Sequence, residues 1–271
     1  MAVQKMPRQA GDQLKAYALA QLQRANVCLA WRGSRAHEGV HQARKSMRRV
    51  RACLALGESA LGAGASMLDD ELSKICESLS SLRDAQARVE SLDRLLKKHP
   101  DQEIHACLNA AKRLAIAARA EAMRCEQAID KDFLTRRERL QVVFAAMPVL
   151  PWQHIDAGTL ALSMQHSIQA CEEAAEIALS RGKEKDWHRL RRRRRRLIQQ
   201  HTALENCHIE LPSIAAPDRK LGTLLGEAQD ISILRDFFRQ HKAMSEENQK
   251  RLRKLLKHEF GHLSAEAMAG R

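Results

Sequence analysis

Residues 188–196 read His-Arg-Leu and then six consecutive arginines, and residues 41–51 read His-Gln-Ala-Arg-Lys-Ser-Met-Arg-Arg-Val-Arg. Nothing else in the chain restricts its folding as tightly. In both stretches a histidine is followed by cations at +3, +4, +7 and +8. These are Arg44, Lys45, Arg48 and Arg49 after His41, and Arg191, Arg192, Arg195 and Arg196 after His188. An α-helix turns about 100° per residue, so the +3, +4 and +7 positions stack over the histidine on one face. Arg49 and Arg51 flank that stripe and widen the basic arc to roughly 160° of the helix circumference. Ala43, Met47, Val50 and Leu54 form an apolar stripe on the other side, which can enter a core while the cations stay outside it. Like charges one turn apart oppose a helix by a few tenths of a kcal/mol per pair. Four stacked cations without interleaved acids therefore lower stability and add no packing, a cost that a bound anion offsets. A solvated face accounts for one such helix; a second copy with the same spacing favours an anionic ligand.

Alanine and leucine dominate the apolar residues, aromatics are only 3%, and Gly and Pro number 12 and 6 among 271 residues. That profile specifies an all-α fold with little room for strands or long loops. The net charge of +13 points to a polyanionic partner: nucleic acid, an anionic membrane surface or another phosphate polymer. Seven cysteines are scattered with no Cys-x-x-Cys spacing, which indicates neither a disulfide framework nor a zinc ribbon. No apolar segment has the length of a signal peptide or a membrane span, so a cytoplasmic location is expected.

Helical periodicity predicts a first helix over 11–31, with Leu14, Ala18, Leu22 and Ala25 on its apolar face, then a loop over 32–39 bounded by Gly33 and Gly39. The first cationic helix follows. Further helices are expected over 67–83, from Asp84 to 98, over 102–129 behind an Asp101 cap, and from an Asp132 cap to 146. Pro148, Pro151 and Gly158 mark the best linker. The order then repeats: a helix over 159–180, a loop, the second cationic helix over 186–207, short helices over 218–227 and 230–241, and a last one over 245–263. Asp84 and Asp230 stand at nearly the same distance from their histidines, each where one helix is expected to give way to the next. They read as N-caps, or as carboxylates that orient a basic side chain.

The two histidine-led stretches and the acidic positions at Arg83-Asp84 and at Leu225-Gly226 through Asp230 resemble the CHAD family, the conserved histidine α-helical domain. The resemblance runs from about residue 10 to 263. It implies two antiparallel helical bundles, 10–147 and 158–263, related by a pseudo-twofold axis, with the basic helices lining a central channel. It also implies binding of inorganic polyphosphate and accumulation at polyphosphate granules. The site residues it implies are His41, Arg44, Lys45, Arg48, Arg49, Arg51, His188, Arg191, Arg192, Arg195 and Arg196. The second copy departs from the first: Ile198 stands where Arg51 does, and Arg194 falls where Met47 packs, which predicts that Arg194 snorkels along the surface.

The residue chemistry suits that activity. Arginine binds phosphate bidentately and lysine as a point charge. A stripe from i to i+7 spans about 10.5 Å and so reaches several successive phosphates. The six cations directly above the histidines, Arg44, Lys45, Arg48, Arg191, Arg192 and Arg195, are expected to carry most of the binding. Arg193 and Arg194 are expected to act only through the long-range field, and equal charge loss at Arg136 and Arg139 to cost little. Nucleic-acid binding is the alternative, but nine aromatic residues make a poor stacking platform and no major-groove recognition helix is visible. His258-Glu259-Phe260-Gly261-His262 matches the His-Glu-x-x-His pattern of zinc proteases, yet the strands expected around such a site are absent. No cofactor, metal or enzymatic activity is expected, and the apolar faces carry no aromatic belt for a membrane.

Overall fold

The computed structural model describes residues 7–241 and 244–269. Among them there are eleven α-helices, four 3-10 turns and no strand, as the composition requires. In chain order the helices are α1 Pro7–Leu29, α2 Ala36–Leu56, α3 Glu58–Leu61, α4 Ala63–Ser78, α5 Ser80–Lys98, α6 Gln102–Ile129, α7 Leu134–Ala146, α8 Ala157–Arg181, α9 Glu184–Asn206, α10 Arg219–Gln240 and α11 Glu246–Ala269. They group into two compact units. The first contains α1–α4 and α7–α9, and the second contains α5, α6, α10 and α11. Both units draw on both stretches of the sequence repeat, 10–147 and 158–263.

In the first unit α1 packs on α2, α8 on α9, and α2 on α9. The apolar faces read from the sequence form its core: Leu14, Ala18, Leu22 and Ala25 on α1, and Ala43, Met47, Val50 and Leu54 on α2, are all buried. Each Met, Val or Leu side chain so buried contributes about 1.5–3 kcal/mol, well above the few tenths opposed by each exposed like-charge pair. That difference is why α2 folds despite its cations.

Several boundaries differ from the sequence reading. Gly39 does not close a loop but sits inside α2, where a Cβ would come within 2.3 Å of the Cys28 carbonyl oxygen on α1. The glycine is there to let two helices touch. The carboxylate that satisfies the first turn of α7 is that of Asp130, which reaches past the N-cap position at Phe133 to accept from the Thr135 amide at 2.9 Å. Asp132 instead has φ of 54° and pairs with Arg32. The expected linker at 148–158 is packed structure. Trp152 and Ile155 are buried, the Trp152 indole donates to the Met147 carbonyl, and Gly11 of α1 lies against the Trp152 carbonyl. Asp156 caps α8 by accepting from the Thr159 amide. The cysteines are free thiols, and only Cys125 is exposed.

In the second unit, Asp101 caps α6 as expected, accepting from the Ile104 amide at 3.0 Å. Asp84 and Asp230, however, are not at helix junctions: the break falls at Leu79, so Asp84 lies within α5, and α10 runs unbroken past Asp230. Asp230 is buried and lies 3.0 Å from Arg83 and 3.2 Å from Arg94. It does orient basic side chains, but those of α5 and not those of the histidine-led stripes. The His-Glu-x-x-His residues also have a structural assignment. Glu259 is buried, with Lys98 Nζ at 2.7 Å and His99 Nε2 at 2.9 Å from its two oxygens, while His258 and His262 are exposed. Burial pushes the Glu259 carboxyl up, but Lys98 and His99 outweigh it and hold it below the usual carboxylate range.

Two tests follow from this packing. Gly→Ala inside a helix ordinarily gains up to about 1 kcal/mol, and Gly261→Ala on α11, where a Cβ meets nothing within 4 Å, should show that gain in denaturant unfolding. Gly39→Ala should instead lose about 1–3 kcal/mol, because the overpacking at the Cys28 carbonyl outweighs propensity. If both variants stabilise, the close approach of α1 and α2 is wrong. Glu259→Gln should cost about 1–3 kcal/mol at neutral pH. Since its folded pKa is lowered, that contribution is present above the unfolded carboxylate value near ~4.3 and is lost as pH falls through the lower folded value. The gap between wild type and variant in thermal unfolding should therefore close in acid; a gap that is the same at pH 7 and in acid contradicts the ion-pair assignment.

Candidate anion-binding site

Where α2 packs on α9, seven guanidinium side chains line a single cleft of about 340 Å³. Arg48 and Arg51 come from α2, and Arg189, Arg192, Arg193, Arg195 and Arg196 come from α9, with Ala52 and Gln199 completing the wall. Helix geometry explains the selection. Arg189, Arg192, Arg193 and Arg196 are i, i+3, i+4 and i+7, one face of α9. That face starts one residue after His188, so it brings in Arg189 and Arg193, which a stripe centred on the histidine leaves out. Arg193 is thus a wall residue of the cleft. On α2 the corresponding row is Arg44, Arg48 and Arg51. Arg44 is not in the lining, but it lies close by. Burial pushes the Cys76 thiol of α4 up, and Arg44, Arg48, Arg51 and Arg195 together oppose that shift.

The remaining stripe residues lie outside the lining. Arg49 donates to the Gln21 side chain of α1 at 3.2 Å, so it faces α1 and not α9. Lys45 is exposed, with Arg49, Arg24 and Arg48 around it; burial of its stem and then these neighbours lower its pKa. His41 and Arg191 are half-buried on their helices. His188, also half-buried, has the Glu184 carboxylate 3.7 Å away, one turn earlier. Arg194 extends along the surface to donate to the Asp218 carbonyl at 3.0 Å, as expected of an arginine at the repeat position equivalent to Met47.

A carboxylate behind the cleft wall pairs with two of its arginines, and sequence reasoning gave no sign of it. Asp69 of α4 accepts two hydrogen bonds from Arg51, Nε to Oδ1 at 2.8 Å and Nη2 to Oδ2 at 2.9 Å. Arg196 Nη2 lies 3.8 Å from the same Oδ2. The bonds to Asp69 raise the Arg51 pKa against the opposing effect of burial. Chemically, the cleft is a concave array of permanent cations with charge-assisted donors, suited to a narrow polyanion with many oxygens. Among the described residues no group of three or more His, Cys, Asp or Glu side chains is placed to hold a metal ion, and no helix is long and apolar enough to cross a membrane.

The fold is shared by known structures, among them the following two. PptA from Streptomyces chartreusis superposes with a TM-score of 0.65 at 19% identity, covering 96% of this chain and 99% of that one. The CHAD domain from the plant Ricinus communis superposes with a TM-score of 0.60 at 18% identity, covering 98% and 93%. At these identities the likeness is one of fold. No curated protein sequence matches significantly. The CHAD domain family model matches residues 16–239, a span that takes in both basic helices and connects the chain, at the level of the family, with polyphosphate-related binding. With most of its length inside that match, the chain belongs to the CHAD family.

Proposed function

We propose that this protein binds inorganic polyphosphate in the cleft between α2 and α9, and that it binds without hydrolysing. The observation that carries this reading is the convergence of seven arginines from two helices on one cleft of about 340 Å³. A solvated surface would spread those charges apart. A chain of phosphates with a negative charge on every unit can instead engage arginines from both helices at once. In this reading Arg48, Arg51, Arg192, Arg195 and Arg196, joined by Arg189 and Arg193, contact phosphate directly. His41, Arg44, Lys45, Arg49, His188 and Arg191 extend the positive field along the two helices. Association with polyphosphate granules is the corresponding expectation in the cell.

Two features favour polyphosphate over nucleic acid and binding over turnover. None of the cleft residues is aromatic, so bases would find no stacking surface, whereas a chain without bases loses nothing. The residues lining the cleft include no carboxylate and no histidine, so the wall itself offers no general base for hydrolysis.

The decisive experiment is a titration of Arg48→Ala/Arg192→Ala with long-chain polyphosphate at two salt concentrations. Each change removes one charge-assisted contact worth about 1.5–3 kcal/mol, so affinity should fall at least ~100-fold. The salt dependence should also become shallower, by analogy with counterion release from DNA. Arg136 and Arg139 are unsuitable as the control: Arg136 is held by Asp130 and the Ser78 carbonyl and Arg139 by Glu71, so replacing them would disturb the fold. Arg113 and Lys254 are exposed, and their double alanine variant should lose less than ~5-fold, the share expected of screened long-range charge. Equal losses in the two variants would mean that net charge alone binds the polymer. Competition by DNA or RNA at matched salt should be weak, and pure protein should release no orthophosphate at catalytic rates.

A further inference from the structure

We infer that Asp69 is a positioning residue of the cleft: an internal anion that fixes Arg51 and Arg196, from two different helices, in the geometry that receives phosphate. This rests on the polyphosphate reading above and adds to it a residue outside both basic stretches.

The geometry supports positioning over competition with the ligand. Asp69 occupies one edge of the Arg51 guanidinium, through Nε and Nη2. A guanidinium has five N–H groups, so three remain for a ligand while the plane of the group is fixed. Arg196 approaches the same carboxylate at 3.8 Å, which is ion-pair range and leaves its own donors largely uncommitted. Without the carboxylate, two guanidinium groups would converge on one point with only repulsion between them, and each would swing out to solvent. Arg51 and Arg196 are both wall residues of the cleft, so their orientation is the orientation of its donors. Asp69 itself sits on α4, which packs on α2, so the anion is held by the same core as the helix it organises.

The placement also resolves an asymmetry of the repeat. The second basic stretch has Ile198 at the position matching Arg51, so α9 cannot supply an equivalent of that residue. Arg196 takes the place beside Asp69, while its own counterpart on α2, Arg49, turns to Gln21. One carboxylate thus gathers non-equivalent residues of the two copies into one wall.

The sign of a single substitution decides the matter. Asp69→Asn removes a negative charge from a cationic cleft, so an account based on field alone expects tighter polyphosphate binding and a steeper salt dependence. Positioning expects the reverse: about tenfold weaker binding, the loss of one ordered charge-assisted contact, and a shallower salt dependence. Asp69→Glu keeps the carboxylate and should recover most of the affinity. In an Arg51→Ala/Arg196→Ala background, Asp69→Asn should weaken binding little further, since the residue acts through those two guanidinium groups. Melting temperatures of all variants, with titrations run well below them, separate loss of fold from loss of orientation. If the wild type binds no polyphosphate, the functional reading fails and this inference with it. If the wild type binds and folded Asp69→Asn binds equally or more tightly, or Asp69→Asn weakens binding as much without Arg51 and Arg196 as with them, the positioning role alone is overturned.

Discussion

Repulsion among the arginines of α2 and α9 is the constraint to which the first unit is built. Each helix alone could splay its cations into solvent. Packed together, with Arg48 and Arg51 facing Arg192, Arg195 and Arg196 across one cleft, they cannot. What holds them is behind them. Met47, Val50 and Leu54 on α2 are buried, as are Leu190, Leu197 and Leu204 on α9, so separating the helices would expose apolar surface on both. Burial is worth more per side chain than surface repulsion, and it comes from the faces that the cations do not occupy. The positive cleft is thus the outer consequence of an ordinary helical core.

Glycine placement shows how narrow the tolerance is. Helix propensity alone disfavours a glycine at position 39 inside α2, yet a Cβ there would meet the Cys28 carbonyl at 2.3 Å. From the sequence, a glycine just before a basic stretch reads as loop punctuation. Close contact between helices is a tertiary fact, and the same letter serves both purposes. The periodic features were legible for the opposite reason: the row Leu14, Ala18, Leu22, Ala25 and the row Ala43, Met47, Val50, Leu54 follow from 3.6 residues per turn, whatever the partner helix turns out to be. The Asp101 cap was legible because capping is local. Asp132 was a plausible cap for the same local reason, and the chain used Asp130 two residues earlier because residues 132 and 133 both turn into the left-handed region.

The site was half legible. Spacing put Arg48, Arg51, Arg192, Arg195 and Arg196 on basic helix faces, since stacking on one face needs only the helix, and the structure lines one cleft with them. It left Arg189 and Arg193 out of that wall and set Arg49 beside residues it does not join, because the histidine was taken as the centre of the face. Which face of a helix looks into a cleft depends on how the helix is rotated against its neighbours, and six consecutive arginines leave that rotation undetermined. Asp84 and Asp230 show the limit of repetition: their matched places in sequence suggested matched roles, but only Asp230 is buried, and it ties arginines of α5. Asp69 could not be read at all. An acid on a third helix, distant in sequence from both stripes, becomes part of the site only through packing.

For the polyphosphate binding proposed above, the exposure of the arginines would set the character of the interaction. The side chains of Arg51 and Arg196 are 27% and 38% exposed, so water and salt reach them and no single contact there approaches the strength of a buried ion pair. Affinity must come from many such contacts made at once, which a polymer supplies and a single phosphate does not. Long chains gain further because, once one unit is held, the next is presented to its neighbour at high effective concentration. On the proposed function, a cleft whose cations are numerous and partly solvated would be matched to the repeating charge of polyphosphate more than to the shape of any one unit.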